Sequence, residues 1–146
     1  MIAFEEVRAV PYSADLMFRV VADVERYPEF LPWVVALRVL SRVPGRISAE
    51  MAVGYGALRE RYTSDILLDE AARTIDVAQT SGPFKTLENH WRFEPTPDGC
   101  AIHFSIRFEF RSSLLAKAAG VAFEKAMHKM TGAFEARAKA LSQAPA

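Results

Sequence analysis

The 146 residues carry 18 basic and 18 acidic side chains, a formal net charge of zero that argues against a large electrostatic footprint for nucleic acid, leaving room only for a local patch. A 51% hydrophobic content, with ten Phe, four Tyr and two Trp, excludes intrinsic disorder. A single cysteine, Cys100, excludes an intramolecular disulfide and a cysteine-built zinc cluster.

The length suits one domain, 1–146, with a loose tail from about residue 142. At the N-terminus, Glu5 and Glu6 stand where a secretory leader carries basic residues. The longest uncharged apolar run, Phe30 to Leu37, spans about eight residues, against about twenty for a membrane helix. A cytoplasmic protein is expected.

In chain order, a first strand begins near Phe4. Ser13 then caps a short helix over Ala14 to Val24, with Leu16, Met17, Val20 and Val21 on its apolar side. A second short turn, Glu25 to Phe30, is closed by Pro28 and Pro32. The stretch Tyr27-Pro28-Glu29-Phe30-Leu31-Pro32-Trp33-Val34-Val35 is stiffened by its prolines and crowded with aromatics. It suits either the gate of a chamber, a membrane-touching patch, or a packed connection.

From Arg46 the period is two. Ile47, Ala49, Met51 and Val53 share one face, as do Leu58, Glu60, Tyr62, Ser64, Ile66 and Leu68. So do Asn89, Trp91 and Phe93, and then Ile102, Phe104, Ile106, Phe108 and Phe110; His90 and His103 point the other way. Turns fall at Pro11-Tyr12-Ser13, Pro44-Gly45, Gly54-Tyr55-Gly56, Ser81-Gly82-Pro83 and Pro95-Thr96-Pro97-Asp98-Gly99. A long helix follows over Ser113 to Leu141, with a stripe of Phe123, Met127, Met130, Phe134, Ala138 and Leu141.

The predicted fold class is α+β. A curved antiparallel sheet of six or seven strands wraps around the long C-terminal helix, and short helices follow the first strand. One helix cannot fill such a concavity evenly, so an apolar chamber between helix and sheet is expected. Met and Phe at helical spacing also serve as ordinary core. The inward polar groups Glu60, Tyr62, Ser64 and Asn89, however, suit a lined hollow better than a solid interior. No catalytic residue or metal ligand set stands out, and the sequence reads as a binder.

Two motifs carry a family resemblance. Asp23-Val24-Glu25-Arg26-Tyr27-Pro28-Glu29-Phe30-Leu31-Pro32-Trp33 and Gly82-Pro83-Phe84-Lys85-Thr86-Leu87-Glu88-Asn89-His90-Trp91-Arg92-Phe93 resemble the coenzyme Q-binding, START-like family. Phe108-Glu109-Phe110 and Ala133 to Ala138 are similar too. The family sits within the polyketide cyclase/dehydrase group, and the likeness runs from about Phe4 to Leu141. It departs at Val34, where a cysteine is common.

The resemblance implies the helix-grip fold and non-enzymatic binding of ubiquinone, or a related polyprenyl lipid, as cargo rather than catalytic cofactor. It further implies support of quinone biosynthesis and respiration, with transient contact at the inner membrane. A toxin branch of the same family offers the ribosome as an alternative partner; DNA is not expected. On that reading Tyr62, Asn89 and Trp91 address the headgroup and Lys85 stands at the mouth. Phe18, Val35, Leu37, Met51, Val77, Phe104, Phe123, Met127, Met130 and Phe134 form the walls, and Tyr27, Phe30, Leu31, Trp33 and Phe84 the gate. The ribosomal reading needs a basic patch, Arg38, Arg42, Arg46, Arg59 and Arg61 with the helix lysines. An enzymatic reading, a cyclase or hydratase, would use Tyr62, Glu60 or His90 as acid or base.

Overall fold

A computed structural model describes residues 2–55, 58–120 and 123–143. The elements are β1 Ile2–Val10, α1 Ala14–Ala22, a 3-10 turn Val24–Arg26, α2 Tyr27–Phe30, β2 Val34–Val43, β3 Arg46–Tyr55, β4 Leu58–Asp69, β5 Thr74–Ser81, β6 Phe84–Thr96, β7 Gly99–Phe110, α3 Ser113–Gly120 and α4 Phe123–Ser142. The seven strands form one antiparallel sheet in the order β1-β7-β6-β5-β4-β3-β2. Strands β2 to β7 are joined as successive hairpins. The first strand pairs with the last, Ile2 opposite Phe108 and Val10 opposite Cys100. This is the expected α+β architecture.

Local chemistry sets the boundaries. Ser13, in extended conformation, caps α1 by accepting from the Leu16 amide at 3.1 Å. The helix stops at Ala22, two residues short of the expected Val24, because Asp23 leaves the helical region and opens the 3-10 turn. Pro28 does not close α2; it occupies its first turn, where a missing N–H costs nothing. The turn over residues 54–56 and the end of the tail, 144–146, lie partly or wholly outside the described residues. The helix expected over Ser113 to Leu141 is described as α3 and α4, on either side of residues 121–122, which lie outside the described residues.

The alternation of the strands becomes the core. Ile102, Phe104, Ile106, Phe108 and Phe110 of β7 are all buried, as are Phe93 and Trp91 of β6 and Ile75 of β5. Helix α1 seals one end of this inner face: Met17 is fully buried and Phe18 meets the edge of Phe93 at 6.1 Å. Helix α4 lies over the same face, with Phe134 in edge contact with Trp91 at 5.2 Å and Phe123 against Phe108 at 4.7 Å. Leu141, expected on the buried stripe, is exposed one turn beyond the last buried position, Ala138.

The seam between α4 and β1 is polar. Arg8 bridges Glu6 at 2.7 Å and Glu135 at 3.0 Å, and His128 Nδ1 lies 2.7 Å from Glu6 Oε2. Burial pushes the Glu6 carboxyl upward, but hydrogen bonds from Arg8 and Thr131 outweigh it and hold it below its ordinary value. No helix among the described residues is long and apolar enough to cross a membrane.

Candidate functional site: an uncharged hollow between helix and sheet

Away from α1, the inner face of the sheet is not filled. A cavity of about 580 Å³ lies between β3–β7 and the C-terminal helices, within the range of small-molecule sites. Its walls come from every element that the alternation turned inward. Ala49, Met51 and Val53 line it from β3, Tyr62, Ser64 and Ile66 from β4, and Ile75 and Val77 from β5. Phe84, Leu87, Asn89 and Trp91 line it from β6, and Phe104, Ile106, Phe108 and Phe110 from β7. Phe123, Ala126, Met127, Met130 and Phe134 form the roof, and Val24, Tyr27, Leu31, Trp33 and Val34 close the side toward α2. Leu114 of α3 also lines the cavity while being 76% exposed, so it stands at the rim. No Asp, Glu, Lys, Arg or His is among these residues.

The polar groups of the lining are few and neutral. Tyr27 donates its hydroxyl to the Val21 carbonyl, tying the gate segment to the end of α1. Burial pushes both lining phenols upward, Tyr62 to about 12. Tyr62 donates to Met51 Sδ at 3.4 Å, a weak acceptor. Asn89 Oδ1 accepts from Trp91 Nε1 at 3.1 Å. Ser64 is buried and its hydroxyl has no hydrogen-bond partner among the described residues, an arrangement that costs about 1–3 kcal/mol until a ligand group answers it. Gly82 makes room for Tyr62: at φ +153° a Cβ there would sit 2.5 Å from the Tyr62 Cβ.

The structure brings together Tyr27, Leu31, Trp33, Met51, Tyr62, Val77, Phe84, Asn89, Trp91, Phe104, Phe123, Met127, Met130 and Phe134 around the hollow. It places five expected residues elsewhere. Val35 is 65% exposed on the outer face, and its neighbour Val34 lines the cavity instead, because the register slips between Val34 and Ala36. Leu37 is half-buried on the edge strand β2, outside the lining. Phe18 belongs to the packed end. Phe30 lies behind the wall, edge-on to Phe134 at 5.4 Å and under the Arg137 guanidinium at 5.3 Å. Lys85 points outward, 3.9 Å from Glu109. Trp91, expected to address a headgroup, instead spends its N–H on Asn89.

Two residues raised for acid–base work also lie outside the lining. Glu60 does not line the cavity, and exposed His90 sits on the outer face, 2.6 Å from Asp76. Among the described residues no group of three or more His, Cys, Asp or Glu could hold a metal ion. Lining residues such as Ala49, Ile66, Leu87, Ile106 and Phe108 are not among the expected site residues, and the polar one left out is Ser64. Its inward phase was legible; its lack of a partner was not.

The family described as polyketide cyclase / dehydrase and lipid transport matches residues 10–135. The ribosome association toxin RatA of Rickettsia prowazekii is 35% identical over 142 residues, spanning 95% of this chain and 97% of its own. The mitochondrial coenzyme Q-binding protein COQ10 homolog B of Xenopus laevis is 36% identical over 141 residues, spanning 94% of this chain and 58% of its own. The crystal structure of the Zhui aromatase/cyclase from Streptomyces sp. R1128 superposes with a TM-score of 0.88 over 98% of this chain and 96% of that one, a likeness of fold at 19% identity. With its helix gripped by the sheet and these relatives along most of its length, the chain belongs to the polyketide cyclase / dehydrase and lipid transport family.

Proposed function

We propose that this protein binds ubiquinone, or a related neutral polyprenyl lipid, in the cavity and carries it without transforming it. In this role it would support quinone biosynthesis and respiratory electron transport and touch the inner membrane only transiently. The observation that carries the reading is the hollow itself: about 580 Å³, walled by aromatic and aliphatic groups, with no charged side chain among the described residues of its lining. Two or three isoprene units, at about 0.8 kcal/mol per methylene-sized group, match the roughly 8 kcal/mol of a micromolar complex before association entropy is subtracted. The coenzyme Q-binding relative supports the choice of lipid. Among the described residues the lining also holds no carboxylate, imidazole or amine to move a proton near neutral pH, which favours a carrier over a cyclase.

Mass spectrometry of organic extracts from protein purified from its native host tests the reading. Quinone is expected in the unaltered protein and absent from Met127→Asp, whose circular dichroism should be unchanged. An empty protein that also takes up no quinone from vesicles rejects it.

The RatA relative, matched over nearly its whole length, supports a second reading: association with the ribosome. The arginines expected to form its basic patch are largely answered by acids. Arg38 and Arg61 meet Glu50 at 3.7 and 3.2 Å, Arg46 meets Asp65 at 2.7 Å, and Arg42 pairs with Glu25. The exposed Lys117, Lys125, Lys129 and Lys139 of α3 and α4 then become the candidate contact. Sedimentation with ribosomal subunits at moderate salt decides: co-migration supports this reading and its absence removes it.

A further inference from the structure

One polar group of the cavity has a fixed direction. The Trp91 indole can only donate, and it donates to Asn89 Oδ1 at 3.1 Å. The carboxamide is thereby oriented with its oxygen engaged and its two N–H donors on the other side. Its neighbours on the inner face offer those donors nothing. Across the ladder stand Val77 on β5 and Ile106 on β7, and along β6 stands Leu87, all of them lining the hollow. No other hydrogen bond of the Asn89 side chain occurs among the described residues.

The remaining polar groups do not oppose this bias. The hydroxyls of Tyr62 and Ser64 rotate and can give or accept. Among the described residues, no carboxylate or imidazole lines the cavity to accept a proton from a ligand, and no cation lines it to balance an anion.

We propose that the cavity discriminates between the redox forms of its cargo, holding the oxidised quinone in preference to the quinol. A quinone carries two carbonyls that only accept, and whichever faces Asn89 can take a hydrogen bond from it without rearrangement. A quinol brings two O–H donors that each need an acceptor, whereas the carboxamide oxygen is already engaged by Trp91 and, among the described lining residues, the hydroxyls of Ser64 and Tyr62 must turn to receive them, so the quinol is held less well. The inference rests on the lipid-binding reading above and goes beyond it by naming the form selected and the residue pair that selects it.

Calorimetric titration of the full chain with decylubiquinone, and anaerobically with decylubiquinol, tests it. The quinone should bind at least about fivefold more tightly. Asn89→Leu, close in volume and suited to the apolar face, should bring the two affinities within about twofold of each other. Trp91→Phe keeps most of the ring but frees the carboxamide to turn over, and should lower the ratio as well; it decides the matter if Asn89→Leu fails to fold. Equal affinities in the unaltered chain, or a preference that survives both substitutions, overturn the redox selectivity while leaving lipid binding intact. Failure to bind either form overturns the lipid reading itself, and this inference with it.

Discussion

The two ends of the inner sheet face are built from the same alternation and end in opposite states. Under α1, Met17, Val21, Phe93 and Cys100 leave almost nothing exposed, and α4 adds Ala138 at the same end. Under the N-terminal half of α4, the same sheet presents Tyr62, Ser64 and Asn89 to a hollow, and Phe123, Met127 and Met130 remain only half-buried above it. Phe134 is the partition, edge-on to Tyr27, Phe30 and Trp91 at 5.3, 5.4 and 5.2 Å. Strand periodicity alone therefore does not decide between core and cavity. What decides is whether a second element reaches down far enough to meet the sheet.

That contrast predicts separable effects. At the packed end, Met17→Ala should cost about 2–5 kcal/mol, because Met17 is fully buried on α1, which packs against α4 and strands β5, β6 and β7 and leaves little room for collapse. Urea denaturation measures it, and a loss below about 1 kcal/mol would show that this end is as loose as the other. At the hollow end, Ser64→Ala removes an unanswered hydroxyl, so stability should hold or rise by up to about 1 kcal/mol while quinone uptake weakens. A marked loss of stability would mean that the hydroxyl already has a partner.

The smallest effect belongs to the polar seam that fastens α4 to β1. Glu6 is held below its ordinary value in the fold, so it adds stability at neutral pH that is lost as pH falls below about 4. Glu6→Gln should flatten the acid limb of the melting-temperature profile without changing binding at the hollow end.

Much of this plan was legible in the residues. The inward phases of β3, β4, β6 and β7 were readable because each strand buries one face and wets the other. The Ser13 cap was readable because its chemistry is local. Val35 departs from the inward phase expected of it, since a register slip next to Val34 shifts the alternation by one and leaves no mark in composition. Lys85 was misplaced similarly, beside the irregular register between Phe84 and Thr86. Phe18 and Phe30 are aromatic like the wall residues, and only the three-dimensional placement of α1 and α4 distinguishes a ring behind the wall from one in it. The engagement of the Trp91 N–H with Asn89 depends on two side chains turning toward each other within one strand, which no spacing rule specifies.

The pairing of β1 with β7 also governs how the molecule can be made. Residues 2–10 find their partners only at 100–108, so the leading strand must wait, unzipped, until nearly the last strand has been synthesised. For that interval the phenylalanine-rich side of the growing ribbon has no helix above it, since α4 emerges later still. A nascent chain of this design is therefore most vulnerable to clumping just before completion, and slowing translation after residue 110 should prolong that sticky phase.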